Sequence, residues 1–287
     1  MPLLESSFLQ KLDRLVLRTR KRRSGVRGGE KRSNRRGQSQ EFADHRPYVP
    51  GDDLRFLDWH LYGRLDTLWI KLFEEESDRT VQIVLDRSGS MDGEKLDYAR
   101  KVAAAFSWIA LGRSDRVAVG SFDDALRDYA PPRRGRRNAH GVFRTLEEAH
   151  PGGETDPDRA FAAWPQHRGG GVILLFTDFL YPDGYEKPLR RLASRGDELH
   201  VFHVMSPAEI KPPIEGDLTL VDRETGETLQ VTVTPELKER YTKRILEWSD
   251  EIQGSCRSMG ATYSRLLTHV PLEDLMLQDM RRGGVLG

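Results

Sequence analysis

The sequence predicts an α/β fold in which a doubly wound, mostly parallel sheet is covered by helices on both faces. Residues 81–85 and 172–176 are short runs that are almost entirely apolar, and from residue 79 onward such runs alternate with stretches of helical periodicity. Strands that are apolar on both faces and are joined through helices form parallel sheets with two buried faces. With 287 residues, 37% of them hydrophobic, the chain is long enough for one such domain and an N-terminal extension that contains β-structure.

Each element of this domain follows from a local pattern. Strands are predicted where apolar or alternating runs occur, at 81–85, 117–122, 125–130, 172–176, 198–205 and 261–267, with 125–130 as an edge strand. Helices are predicted where apolar residues recur every three or four positions, at 96–110, 138–149, 156–164, 184–195 and 271–281. Residues 218–222 and 228–233 predict a hairpin. Thr234 as cap and Pro235 in the first turn predict a further long helix.

The first 78 residues are predicted to form the extension, and residues 79–287 the main domain. Residues 46–59 begin with turn residues and pass into strand-like alternation, and 68–73 is a second strand candidate, so 54–76 is predicted to form a hairpin. A short amphipathic helix is predicted from apolar residues at helical spacing, namely Leu4, Phe8, Leu12 and Leu15.

The extension carries a basic arm, although the net charge of the whole chain is zero. Residues 1–37 contain twelve Lys or Arg against three Asp or Glu, and ten of the nineteen residues in 18–36 are basic. Such an arm binds nucleic acid, an acidic partner protein or the acidic body of its own molecule. No aromatic residue for base stacking lies within it. The basic residues that we take as candidates are Arg20, Lys21, Arg22, Arg23, Arg35 and Arg36.

The sequence favours a cytoplasmic protein. No apolar run approaches the ~20 residues that a membrane span needs, and the N-terminus has no basic-then-apolar signal peptide. The single cysteine, Cys256, excludes an internal disulfide and is expected to be a buried, inert thiol on a helix.

Oxygen-bearing side chains follow two of the predicted parallel strands and one loop between them. Asp86, Ser88 and Ser90 form a D-x-S-x-S string after the first strand, and Asp178 follows strand 172–176. Thr155 lies in the glycine-led loop 152–156. The carboxyl ends of parallel strands open onto one edge of a sheet, and neutral hydroxyls with carboxylates suit Mg²⁺ or Mn²⁺. The alternative is a loop in which Asp86, Ser88 and Ser90 merely cap the next helix.

These strings resemble the metal-ion-dependent adhesion site of von Willebrand factor A-type domains, whose Rossmann-like order of elements matches residues 79 to about 281. The resemblance implies that Ser88, Ser90 and Thr155 bind the metal directly and that Asp86 and Asp178 act largely through water. It also implies an open coordination position that a carboxylate of a protein partner fills.

The extension resembles the bacterial domain-of-unknown-function family number fifty-eight, whose signature precedes a von Willebrand A-like domain. The resemblance implies work with a MoxR-type AAA+ ATPase or a client of such an ATPase. We expect the signature to be structural, as a turn with buried Arg–Asp pairs, with a partner surface or second ion site as the alternative. The matching residues are Arg46, Tyr48, Gly51, Asp52, Asp53, Arg55, Asp58 and Trp59.

Together these features predict a non-enzymatic, Mg²⁺-dependent protein-interaction module. A phosphatase of the haloacid-dehalogenase type needs Asp as general acid where this chain has Ser88, and strings typical of serine hydrolases, P-loop enzymes and HExxH zinc enzymes are missing. The competing hypothesis is a nucleic-acid-binding protein that uses the arm 18–36 and whose metal site is structural.

Overall fold

The computed structural model describes residues 3–18, 41–50, 52–74, 79–167, 170–221, 226 and 228–287. The chain divides into two units, one made of Met1–Arg22 with Arg79–Gly287 and the other of Arg23–Asp78. The predicted division into an N-terminal extension and a main domain that begins at residue 79 stays a prediction. Among the described residues, no helix combines the length and apolar character that a membrane span requires.

In the described part of the first unit, one sheet of six strands has the order β10-β7-β6-β3-β4-β5. All neighbouring strands in it are parallel except the edge pair β4 and β5. Counted along the chain within this sheet, the order is 3-2-1-4-5-6, which is the doubly wound arrangement, and the predicted fold class is thereby confirmed. The strands are β3 (Thr80–Asp86), β4 (Arg116–Phe122), β5 (Leu126–Arg134), β6 (Gly171–Thr177), β7 (Glu198–Met205) and β10 (Thr262–Leu267).

Helices cover both faces of this sheet. Phe106 and Phe202 belong to a core on the face covered by α1, α3, α4 and the C-terminal helical turns, and Phe161 and Ile252 belong to the core under α5, α6 and α8. The helices are α1 (Ser6–Leu12), α3 (Glu94–Gly112), α4 (Ala139–Glu148), α5 (Pro157–Ala163), α6 (Glu186–Ala193), α7 (Pro207–Ile210) and α8 (Pro235–Ser258). The last turns are α9 (Leu272–Asp274), a π-helical turn (Leu275–Asp279) and α10 (Met280–Arg282).

Several local predictions are confirmed in this unit. The amphipathic helix near the N-terminus forms as α1, with Leu12 fully buried. The side chain of Thr234 caps α8 by accepting a hydrogen bond from the backbone N–H of Leu237. The predicted hairpin forms from β8 (Gly216–Val221) and β9 (Thr228–Val233), which pair antiparallel.

The second unit corrects the predicted hairpin at 54–76. The strand β2 (Trp69–Glu74) pairs antiparallel with an upstream strand, β1 (Glu41–Pro47), and residues 54–59 form no strand and contribute a single antiparallel bridge, between Leu57 and Ile70. Residues Leu54–Phe56 form a short 3₁₀ turn, and Trp59–Leu65 form helix α2. The prediction was wrong because Asp53 and Asp58 are N-caps: each accepts hydrogen bonds from backbone N–H groups of the turn that follows it.

Candidate metal site at the carboxyl edge of the sheet

The D-x-S-x-S string forms a tight loop at the end of β3. Asp86 is the last residue of the strand and is fully buried, and its Oδ1 accepts a hydrogen bond from the backbone N–H of Ser88 at 2.9 Å. The hydroxyl oxygens of Ser88 and Ser90 lie 3.0 Å apart. The Ser88 side chain makes no capping bond to the 3₁₀ turn Gly89–Met91, and α3 begins after Gly93 without a side-chain cap. Capping of this turn therefore does not account for the side chain of Ser88.

The glycine-led loop lies directly beside this string. The backbone N–H of Gly89 donates to the carbonyl of Gly153 at 3.2 Å, and the N–H of Gly152 donates to the carbonyl of Arg87 at 2.6 Å. A Cβ at position 152 would lie 2.5 Å from Oδ2 and 3.0 Å from Cβ of Asp123, which follows β4, so glycine lets the loop pass close to that side chain. Thr155 is 8% exposed. Its buried Oγ1 has no hydrogen-bond partner among the described residues.

Asp178 completes the group from the neighbouring strand β6. Thr177 donates its hydroxyl to Oδ2 of Asp86 at 2.7 Å, which joins the ends of the two strands. Oδ1 of Asp178 accepts a hydrogen bond from the backbone N–H of Leu180 at 3.1 Å. Between them, Phe179 has a φ of 61°, a conformation that is strained for a bulky side chain and that is typical of functional turns. The structure thus brings all five predicted metal-site residues to one edge.

Two charged residues that were not among the predicted site residues, Lys95 and Glu209, also lie at this edge. The Nζ of Lys95, a residue that is 5% exposed, lies 2.7 Å from Oδ2 of Asp178 and also pairs with Glu209. Burial alone would lower the pKa of Lys95, but the carboxylates of Asp178 and Glu209 raise it above its usual value. A lysine on the core face of α3, one turn before Ala99, was the available signal, because a buried ammonium needs carboxylate partners.

At this edge the charged form of the Asp86 carboxyl group is disfavoured. Burial and the nearby charge of Asp178 raise the pKa of Asp86 to about 7. A divalent cation placed beside buried carboxylates reverses this effect, because it favours their charged form.

The donor set fits a hard divalent ion. Among the described residues, no three His, Cys, Asp or Glu side chains are arranged to hold a metal, so an ion at this edge depends on hydroxyl ligands. The hydroxyls of Ser88, Ser90 and Thr155 are neutral oxygen donors, and the Thr155 hydroxyl has no protein partner among the described residues. Mg²⁺ and Mn²⁺ take such ligands.

The signature segment contains the predicted Arg–Asp pairs, but they are not buried. Arg46 donates to both carboxylate oxygens of Asp52 at 2.6 and 2.7 Å, with 41% of the Arg46 side chain exposed. Arg55 pairs with Asp53, and 83% of its side chain is exposed. The backbone N–H of Tyr48 donates to Leu68 at 2.9 Å.

The remaining signature residues and the arm are placed as follows. Asp58 binds His45 at 2.8 Å and caps α2. Trp59 is 64% exposed. Gly51 and the basic-arm residues Arg20, Lys21, Arg22, Arg23, Arg35 and Arg36 lie outside the described residues.

Cys256 is fully buried on α8, as predicted. Burial raises the pKa of its thiol to about 12, so the thiolate needed for a nucleophile is scarce near neutral pH.

Sequence comparison finds a family model and related proteins that match the chain. The family model described as "Protein of unknown function DUF58" matches residues 44–250. Uncharacterized protein Rv1480 of Mycobacterium tuberculosis is 28% identical over 286 residues, which cover 95% of this chain and 90% of that protein. Uncharacterized protein MAV169 of Mycobacterium avium is 29% identical over 165 residues, covering 55% of this chain and 96% of that protein. These descriptions indicate no catalytic activity.

Solved structures resemble the chain more weakly. The conserved hypothetical protein BatB from Bacteroides thetaiotaomicron has a TM-score of 0.43 at 17% identity, covering 72% of this chain and 98% of its own. An aerotolerance-related membrane protein from Bacteroides fragilis has a TM-score of 0.42 at 17% identity, covering 71% and 98% respectively. At TM-scores this low, the likenesses say nothing about function.

Proposed function

The chain belongs to the DUF58 family, and we propose that it is a non-enzymatic protein-interaction module with a von Willebrand A-like metal-ion-dependent adhesion site. In this proposal Ser88, Ser90 and Thr155 hold Mg²⁺ or Mn²⁺ through their hydroxyls. Asp86 and Asp178 neutralise the ion largely through water, as the resemblance to adhesion sites implies.

The observation that carries the proposal is the unpaired hydroxyl of Thr155. A buried hydroxyl without a partner costs about 1–3 kcal/mol, so one that lies beside two serine hydroxyls and a buried carboxylate calls for an explanation. The Oγ1 of Thr155 is in this state while its loop is bonded to the D-x-S-x-S loop. A metal ligand at position 155 explains why the residue is not valine, which has the same shape.

The proposed action is a latch. A bound ion supplies a Lewis-acidic position at the sheet edge, and an acidic residue of a protein partner occupies it. Because the protein's own ligands include three neutral hydroxyls, the ion keeps enough positive charge to attract that carboxylate. The family resemblance supports a MoxR-type AAA+ ATPase or one of its clients as the partner, in assembly or remodelling of other proteins in the cytoplasm.

The chemistry of the edge supports binding over catalysis. Ser88 occupies the position at which a haloacid-dehalogenase-type phosphatase has its acid, and the thiol of Cys256 is buried. The nucleic-acid alternative depends on the arm 18–36; residues 19–36 of it lie outside the described residues, so it has no structural observation in its favour.

The test is Thr155→Val with Thr268→Val as its matched control, since Thr268 also has a buried hydroxyl without a partner among the described residues. Both variants are expected to match or exceed the stability of the wild type without metal, because each removes an unsatisfied hydroxyl. Calorimetric titration with Mg²⁺ and Mn²⁺ is expected to show at least about tenfold weaker binding for Thr155→Val only.

A pull-down from lysate extends the same comparison to the partner. Recovery of the partner is expected to fall with EDTA and with Thr155→Val and to be unchanged with Thr268→Val. Equal Mg²⁺ affinity in all three proteins contradicts the metal site, and partner recovery that ignores both EDTA and Thr155→Val contradicts the latch.

A further inference from the structure

A groove of about 1070 Å³ adjoins the candidate metal site. Ser90 and Lys95 lie in its wall, so the groove and the D-x-S-x-S loop share one surface. Its volume is near the upper end of the range for ligand pockets, about 300–1,000 Å³, which suits a short peptide segment better than one side chain. The inference drawn from it rests on the proposed function, because it concerns the partner that the metal would hold.

Four aromatic side chains are among the residues that line the groove. Tyr185 and Trp248 are half-buried there, so each keeps an accessible ring surface. The buried Phe179 packs edge-to-face on Tyr185 with the ring centroids 5.6 Å apart. His203 packs in the same way against both Phe179 and Trp248, at 5.3 and 5.4 Å. These contacts hold the rings in fixed orientations before any partner arrives.

The charged residues of the groove are mainly acidic. Asp92, Glu94 and Glu209 line it, against the single ammonium of Lys95. That ammonium is buried between Asp178 and Glu209, so it offers little charge to a partner. Asp92 and Glu94 are exposed at the start of α3, on the side of the groove nearest Ser90.

The combination of aromatic rings and carboxylates determines which kind of chemical group binds best in the groove. An apolar segment would cover the exposed carboxylate of Glu94 without pairing it, which is costly, and an acidic one would be repelled. A cation with an apolar stem suits both kinds of lining residue, because it lies over an aromatic face and pairs with a carboxylate. A guanidinium does this better than an ammonium, since it is planar, stacks on rings and is less strongly hydrated.

We propose that the groove binds an arginine of the partner segment whose carboxylate reaches the metal. The guanidinium stacks on Trp248 or Tyr185 and pairs with Glu94. A partner is thereby recognised by an acidic and a basic residue presented together. The metal ion binds the acidic residue, and the groove binds the basic one.

The probe is a set of blocked, fluorescent peptides of Gly and Ser that contain one Asp, with Arg, Leu or Glu placed in turn at each other position. Binding is measured by fluorescence anisotropy with Mg²⁺ on the full chain. The best Arg peptide is expected to bind about tenfold tighter than its Leu and Glu counterparts, the sum of one stacked cation and one ion pair.

Two variants test which residues of the groove cause the preference for Arg. Glu94→Gln and Trp248→Leu are each expected to reduce the preference for Arg about threefold or more while leaving Mg²⁺ affinity unchanged. Glu94 is exposed in the first turn of α3, so Glu94→Gln keeps the fold even if Trp248→Leu loosens it. Glu239→Gln, an exposed glutamate that lines a separate cavity on α8, is the control and is expected to change neither quantity.

The outcomes separate this inference from the proposed function. Peptide binding that needs Mg²⁺ but shows no preference for Arg, or no peptide binding to the Mg²⁺-loaded protein, overturns the groove and leaves the metal site standing. Arg-dependent binding that persists in EDTA and in Thr155→Val supports the groove and overturns the metal latch.

Discussion

Two of the buried polar side chains of strand β3, Gln82 and Asp86, lie on one face and four residues apart. The amide of Gln82 is satisfied at both ends: its Nε2 donates to Asp197 at 3.1 Å, and its Oε1 accepts from the indole N–H of Trp164 at 3.0 Å. The surroundings of Asp86 differ from those of Gln82. Its pKa is raised by burial and by Asp178, and the nearby Thr155 hydroxyl has no partner among the described residues.

Under the proposed function, the difference separates a buried polar group that is structural from one that serves binding. Gln82 lies in the middle of the sheet between β4 and β6, and its two partners are Trp164, directly after α5, and Asp197, directly before β7. Asp86 lies at the carboxyl end, where loops converge and ligands bind in folds of this class. Stability lost by a change in the closed centre is expected not to depend on Mg²⁺, whereas the stability of variants in the open centre is expected to depend on the ion. Three substitutions test this contrast.

The largest effect is expected from Lys95→Met, which removes the ammonium that the open centre already contains. Asp178 and Glu209 then face each other without a cation, and breaking such a buried pair costs about 3–5 kcal/mol of unfolding free energy. Denaturant unfolding in EDTA measures the loss. Mg²⁺ is expected to restore part of it, since an ion bound near Asp178 replaces the lost charge.

Lys101→Met is the control for this variant, because Lys101 lies on the same helix and is exposed. Its effect is expected to stay within about 0.5 kcal/mol. A Lys95→Met protein as stable as the wild type would show that the ammonium is not needed to hold the two carboxylates together.

A smaller but still large loss is expected from Gln82→Leu in the closed centre. The carboxylate of Asp197 and the indole N–H of Trp164 both lose a buried partner, which costs about 2–3 kcal/mol in total. Chemical denaturation measures this loss, and Mg²⁺ is expected to restore none of it. Gln230→Leu, at an exposed position of β9, is the control. Recovery of Gln82→Leu by Mg²⁺ would erase the distinction between the two centres.

Much of this contrast was accessible from sequence. The apolar strands β3 and β6 predicted a parallel sheet, and parallel strands open onto one edge, so the convergence of Asp86 and Asp178 followed from pattern alone. The role of Gln82 did not follow, because its partners Trp164 and Asp197 lie 82 and 115 residues away. Such a network depends on how α5 and β7 pack against the strand, which no local pattern encodes.

The two errors have different origins. Lys95 was overlooked because Glu209, 114 residues away, meets it only after β7 and α7 have folded beside α3. The hairpin predicted at 54–76 failed for a local reason, since strand-like alternation after Asp53 and Asp58 outweighed their capping role. The true partner of β2, residues Glu41–Pro47, includes Asp and His residues and gives no apolar strand signal.

The smallest change in stability is expected from Asp86→Asn in metal-free protein, within about 1 kcal/mol of the wild type, although the residue is fully buried. Asparagine keeps an oxygen for the backbone N–H of Ser88, and its amide N–H₂ donates to Thr177, whose hydroxyl then turns to Tyr181, 2.8 Å away. Little is lost because burial already disfavours the charge of Asp86. Unfolding in EDTA and with Mg²⁺ checks this: the wild type is expected to gain stability from the ion and the variant to gain much less. A loss of several kcal/mol without metal would mean that the carboxylate of Asp86 holds the fold together as Gln82 does, and the carboxyl edge would then be a second closed centre.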